Sequence, residues 1–213
     1  MKKILLCLIP YTVFATSYQD NIAPITKDIK IRMIEGNSWR KACPIPLEDL
    51  RYLRIKHWDF QGETTWGELI VHKNIAKNTT KIFKALYFIK YPIKQMRLVS
   101  DFKGNDWQSI EADNTSAFNC RPVTGNKKKW SKHAYGKAID INPIENPYIS
   151  KTGYISHKAS HKYRQRIIYK NKKAEYQAML VPKSPATRIF KKYGWKWGGD
   201  WKTIKDYQHF SFD

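Results

Sequence analysis

A chain of 213 residues with 42% hydrophobic side chains can bury a substantial core, which excludes a disordered tail and makes one compact domain after a short leader the simplest organisation. Its 39 lysines and arginines against 18 acids leave a formal charge of +21, spread along the length without a block of six like charges. That balance suits either a solvated lysine-rich surface or attraction to a polyanion such as nucleic acid, an anionic cell wall or a membrane surface.

Taken in chain order, Met1-Lys2-Lys3 and the apolar run over residues 4–15 have the form of a secretory signal, with Ala15-Thr16-Ser17 fitting a cleavage site. Residues 1–17 are therefore read as a signal peptide; its removal takes Cys7 away and leaves no transmembrane segment. Residues 18–42 read as an N-terminal extension and residues 43–213 as the domain proper. Two cysteines remain, Cys43 and Cys120. An even count in an oxidising compartment favours a disulfide between them, with two buried free thiols as the alternative.

Residues 50–60 and 64–72 are rich in aromatic and β-branched side chains around Gln61-Gly62-Glu63, which predicts a hairpin. Ile75, Ile82, Phe83, Leu86 and Ile89 fall near helical spacing and predict a helix over 74–91 that Pro92 stops. Residues 93–102 then read as a strand, 104–114 as a loop with a helical turn, and 115–121 as a strand ending at Arg121. Arg121 is either an ordinary surface charge or a guanidinium aimed into a site, where paired hydrogen bonds could hold a carbonyl or carboxylate. Residues 142–155 are a loop. His157 and His161 have the i, i+4 spacing that can chelate a metal on a helix, but no glutamate follows His157, so the pair reads as solvated histidines. Ser184 as cap, Pro185 at the first position and Gly194 at the end predict a helix over 184–193.

The chemistry gathers in two stretches. Ser131-Lys132-His133-Ala134-Tyr135-Gly136-Lys137-Ala138-Ile139-Asp140 places a histidine and a carboxylate at an H-x-x-G-x-A-x-D spacing, on a turn and the strand after it. Alternate side chains of a strand share a face, so small Ala138 leaves room beside Asp140 for an ion. The C-terminal stretch carries Trp197-Gly198-Gly199-Asp200-Trp201 and then Asp206-Tyr207-Gln208-His209-Phe210. A final strand with Phe210 and Phe212 on the core turns His209 to the opposite face, and a turn entering it can bring Asp206 alongside. Two imidazoles and one carboxylate match the preferences of a catalytic zinc that keeps a position open for water.

Together, S-x-H-x-x-G-x-A-x-D and the terminal D-x-x-H-F resemble the zinc peptidase family that includes bacterial and phage D-alanyl-D-alanine carboxypeptidases, dipeptidases and L-alanyl-D-glutamate endopeptidases. The W-G-G-D-W run and Trp130-Ser131-Lys132-His133-Ala134-Tyr135-Gly136 look closest to the endopeptidase-like branch. The resemblance implies a small α+β domain with a central antiparallel sheet and flanking helices, shared with the hedgehog signalling domain. It implies one zinc ion on His133, Asp140 and His209, with Asp206 as catalytic acid/base and Arg121 steadying the scissile carbonyl. Arg121 and Ser131 are the expected substrate contacts. The function so implied is an exported, monomeric zinc metallopeptidase of the periplasm, cell wall or extracellular space. Its substrate would be the stem peptides of peptidoglycan, and its positive charge suits an anionic wall. A zinc-stabilised domain that binds wall material or protein without cutting is the alternative, but such a site needs neither Asp206 nor Arg121. A nucleic-acid partner is not expected, because no zinc-finger, RNP or basic-helix pattern is present.

Overall fold

The computed structural model describes residues 17–166 and 173–213. The expected leader, with Cys7, lies outside the described residues except for Ser17. The first structured segment falls within residues 18–42: β1 (Asp20–Pro24) is followed by α1 (Lys27–Glu35), capped by Thr26. β1 pairs antiparallel with β2 (Leu50–Trp58), which forms the expected hairpin with β3 (Thr64–His72). The apolar run in β3 faces two ways. Leu69 and Val71 enter the main core, while Ile70 packs with Leu50, Met33 of α1, Phe118 and Cys120 in a second cluster. A strand buried on both faces needs a cover on each. Residues 18–42 supply part of one, and Cys43 is bonded to Cys120 at its rim.

The other face of the hairpin takes α2 (Ala76–Phe88), whose Ile82, Phe83 and Leu86 lie at helical spacing and are almost wholly buried. A 3-10 turn over Lys73–Ile75 precedes it, and Lys90 in the left-handed region ends it before Pro92. The expected strand over 93–102 is only β4 (Gln95–Met96), followed by a 3-10 turn at Val99–Phe102. β4 finds its partner in β5 (Asn114–Thr115) and runs parallel to it, with α3 (Asp106–Glu111) between them. Beyond Thr115 the expected strand over 115–121 reduces to a bridge from Ser116 to Asp140, because its later backbone N–H groups bond one at a time to separate segments, Phe118 to the Ile70 carbonyl and Cys120 to the Ser38 carbonyl, rather than to one ladder.

The rest of the chain builds the site. β6 (Pro122–Val123) and β7 (Asn126–Trp130) form a small hairpin. β8 (Ala138–Asp140) and β9 (Tyr148–Ile149) follow, then α4 (Ala174–Gln177) and α5 (Pro185–Lys192). Ser184 caps α5 by accepting the Thr187 N–H, Pro185 takes the first position, and Gly194 at φ +87° closes the segment. Last come β10 (Lys196–Trp197), β11 (Lys205–Asp206) and β12 (His209–Ser211). β12 lies between β10 and β8 in an antiparallel three-stranded sheet, and β11 pairs with β9. Phe210 of β12 stacks on Phe190 of α5 at 3.9 Å, and Phe190 meets Phe83 of α2 edge-on, so a shared aromatic core joins this sheet to the first. The architecture is α+β; its sheet is divided into two three-stranded units with shorter pairs around them.

Candidate metal centre

His209 and Asp140 are direct cross-strand partners in the β12–β8 pair, 69 residues apart in sequence. Opposed residues of an antiparallel pair present their side chains on one face. His209 Nδ1 lies 3.0 Å from Asp140 Oδ1. Asp140 is held on its other edge as well, because its backbone N–H and carbonyl both exchange hydrogen bonds with Ser116. One short strand is thus clamped from two sides at the residue that carries the carboxylate.

His133 comes from the 3-10 turn Lys132–Tyr135. Ser131 Oγ caps that turn by accepting the His133 N–H, and Gly136 at φ +65° closes it. A side chain at Gly136 would meet the His72 backbone nitrogen at 2.6 Å, so the turn can sit against β3 only with glycine there. His133 Nδ1 donates to the Ala117 carbonyl at 2.6 Å, which fixes the ring with Nε2 facing the site. Nε2 is 3.2 Å from Asp140 Oδ2 and 3.2 Å from His209 Nδ1.

The three residues therefore converge: the two imidazole nitrogens stand 3.2 Å apart, each faces its own oxygen of the Asp140 carboxylate at 3.0–3.2 Å, and all three residues are buried. Donors held at about 2.0–2.1 Å around a tetrahedral ion stand roughly 3.3 Å from one another; the two imidazole nitrogens match that spacing, and one ligand atom from each of the three residues lies within 4.8 Å of the others, so the triangle of residues could hold one small cation. Burial pushes the Asp140 carboxyl up, but the facing His133 and His209 outweigh it and hold it far below the usual carboxylate range. Burial likewise pulls His209 down, and Asp140 reverses it to a net rise. Among the described residues, this is the group of histidine and carboxylate side chains able to hold a metal ion.

Asp206 stands beside the triangle on β11, where it pairs with Tyr148 of β9. The residue as a whole is half-buried, but its Oδ1 is shut from solvent without a hydrogen-bond partner. Burial first, and then the negative Asp140, push its pKa up to about 6 against the pull of His209. Gly198 lets β11 come this close: a Cβ there would lie 2.5 Å from the Asp206 carbonyl oxygen and 2.9 Å from the Asp206 Cβ. Trp197 adds a tie from its indole N–H to the Tyr207 carbonyl at 2.8 Å.

Arg121 is anchored from behind. Its carbonyl accepts the Ser131 N–H, and its Nε lies 3.0 Å from Asp106 Oδ1 at the start of α3. Ser131 is buried and engaged in the cap of the His133 turn. His157 and His161 stand away from the triangle. His157 is not solvated as its sequence context suggests: it is 5% exposed and stacks on Trp107 at 3.9 Å. Sequence reasoning missed four contributors. The Ala117 carbonyl and Asp106 leave no local signal, since each acts on a residue 15 or 16 positions away. Gly198 and Trp201 lie in a run already singled out, with the Trp201 ring 5.5 Å from that of His209.

The fold and cluster define an α+β domain with three buried residues that could hold a metal ion and a carboxylate beside them. Residues 124–212, about two fifths of the chain, match the model of the family described as D-alanyl-D-alanine carboxypeptidase. The matched stretch contains His133, Asp140, Asp206 and His209 but not Arg121, and it supports a peptidase. No curated protein and no solved structure gives a significant match.

Proposed function

We propose that this chain is an exported zinc metallopeptidase that hydrolyses peptide bonds of peptidoglycan stem peptides, acting as a monomer in the periplasm or cell wall. The observation that carries the reading is the buried carboxylate of Asp206, with one oxygen unpartnered, beside the His133–Asp140–His209 triangle. A purely structural metal site has no use for a second acid held at a cost in solvation. The family match and the residues quoted above favour zinc as the ion and wall peptides as the substrate.

His133, Asp140 and His209 would hold the ion. Zinc bound there would supply Lewis acidity toward a water molecule and a carbonyl oxygen. Asp206 would accept the proton of the attacking water at its unpartnered oxygen and pass it to the leaving amine, the task of a carboxylate whose pKa lies near working pH. Arg121, steadied by Asp106, would orient the scissile carbonyl, with Ser131 holding the His133 turn. Trp201 would wall the site beside His209.

Digestion of purified peptidoglycan by the zinc-loaded protein, read by mass spectrometry, tests the proposal. New termini within the stem peptides are expected. A terminus after L-alanine indicates the endopeptidase reaction, and loss of a terminal D-alanine the carboxypeptidase reaction. Metal analysis should find about one zinc per chain, abolished by His133→Ala or His209→Ala and retained in His157→Ala. Intact zinc with no new termini would overturn the peptidase reading, while loss of zinc in His157→Ala would overturn the ligand set.

A further inference from the structure

Helix α2 buries Ile82, Phe83 and Leu86 and turns a single stripe outward, made of Lys77, Lys81, Lys84 and Phe88. These positions recur every three to four residues and span roughly 16 Å along the helix axis. The three lysines form no ion pair among the described residues. Phe88 is 68% exposed, Ile89 after it is 45% exposed, and Lys90 follows with its ammonium 5.1 Å from the centre of the Trp58 ring. The adjacent α5 joins α2 through the Phe83–Phe190 contact and a hydrogen bond from Asn78 to the Tyr193 carbonyl. It presents Arg188 and Lys192 on its own exposed side. Neither helix contains an aspartate or glutamate.

We propose that this face docks the protein onto an anionic phospholipid bilayer, with the lysines over the headgroups and Phe88 and Ile89 entering the interfacial zone. The basic stripe is complementary to any polyanion. The apolar tip chooses among polyanions, since two exposed hydrophobic side chains gain nothing from a hydrophilic polymer and gain burial in a bilayer. No helix of the described residues is long and apolar enough to cross a membrane, so the contact is peripheral. Docking through this face is independent of the peptidase reading, because none of these residues belongs to the metal centre.

The test is co-sedimentation of the full chain with vesicles of equal parts phosphatidylglycerol and phosphatidylcholine, and with vesicles of phosphatidylcholine alone. Strong retention on the first and weak retention on the second are expected. Lys77→Gln/Lys81→Gln/Lys84→Gln should weaken binding to the anionic vesicles by about a hundredfold. Phe88→Ser/Ile89→Ser should weaken it by about tenfold. All these positions are exposed, and unchanged thermal melts would establish that the variants fold. No binding, equal retention on neutral vesicles, or binding that survives both sets of substitutions, as binding through residues 1–16 would, overturns the assignment. A loss confined to the lysine variant would show that Phe88 and Ile89 do not enter the interface, which removes the reason for choosing a bilayer over other polyanions and overturns the assignment equally.

Discussion

Gly198→Ala should impair turnover while leaving the metal site filled. The added Cβ would stand 2.5 Å from the Asp206 carbonyl oxygen and 2.9 Å from its Cβ. Both contacts are short of ordinary packing distances, the tighter by roughly an ångström. The atoms in the way belong to backbone and to a Cβ, so the strain cannot be relieved by rotating a side chain; β11 itself must move. A displacement near 1 Å of a group that transfers protons costs on the order of a hundredfold in rate. His133, Asp140 and His209 sit on the turn, β8 and β12, which are held by Ser131, Ser116 and the β8–β12 ladder rather than by Gly198. Turnover of a soluble stem peptide and zinc content should be measured on the same preparation. Near-stoichiometric zinc with turnover lowered about a hundredfold is the expected result. Turnover within a few-fold of the parent would refute the argument that Asp206 needs this close approach, and an empty site would show that Gly198 serves the ligands instead.

Asp206→Asn should keep zinc and fold but lose about a hundredfold or more in turnover, because an amide cannot take a proton at neutral pH; Asp140→Ala should lose the metal as well. If the first variant emptied the site and the second kept its zinc, the two roles would have to be exchanged. Removing the Cys43–Cys120 bond with a double serine variant should cost about 4 kcal/mol in denaturant unfolding, since the bridge closes a loop across 77 positions of the unfolded chain. An unchanged unfolding free energy would refute that value. Asp113 and Glu145 form a buried carboxyl pair, and burial first and then Asp113 push Glu145 up to about 9. The folded state therefore binds more protons than the unfolded chain between about pH 4.5 and 9, so stability falls as pH rises through that window. Glu145→Gln should melt several degrees above the parent at pH 8.5, where about 1 kcal/mol moves Tm by a few degrees, and the gap should close toward pH 4.5. Melting curves that run parallel across pH would show that the pair does not carry this dependence.

Elements formed by neighbours in the chain are legible in the sequence. The Ser184, Pro185 and Gly194 signals delimit α5, the hairpin around Gln61-Gly62-Glu63 follows from its flanking runs, and Ile82, Phe83 and Leu86 orient α2. In the helices the hydrogen bonds and the buried face lie within a few residues of one another, and the hairpin pairs outward from a short turn, so composition and period suffice. The segments over 93–102 and 115–121 have strand-like composition, yet the first yields only the two residues of β4 and the second only Thr115 of β5 and a bridge at Ser116, because a strand exists only where another segment offers a ladder. β1 joins the sheet of the hairpin and α1 the second core cluster, although their own periodicity is too short to announce it.

Which side chains have the chemistry is written in the chain: His133 and Asp140 at their short spacing, Asp206 and His209 at theirs, and two cysteines beyond the leader. How those side chains stand to one another is a product of folding. The register of β12 on β8 sets His209 opposite Asp140 across 69 residues, the Ala117 carbonyl selects which nitrogen of His133 faces the triangle, and Asp106 takes the guanidinium of Arg121. The physical reason is range. Backbone preference and side-chain period act over a few residues, whereas the 3.0–3.2 Å contacts among His133, Asp140 and His209 and the close approach at Gly198 exist only after distant strands have paired and excluded water between them.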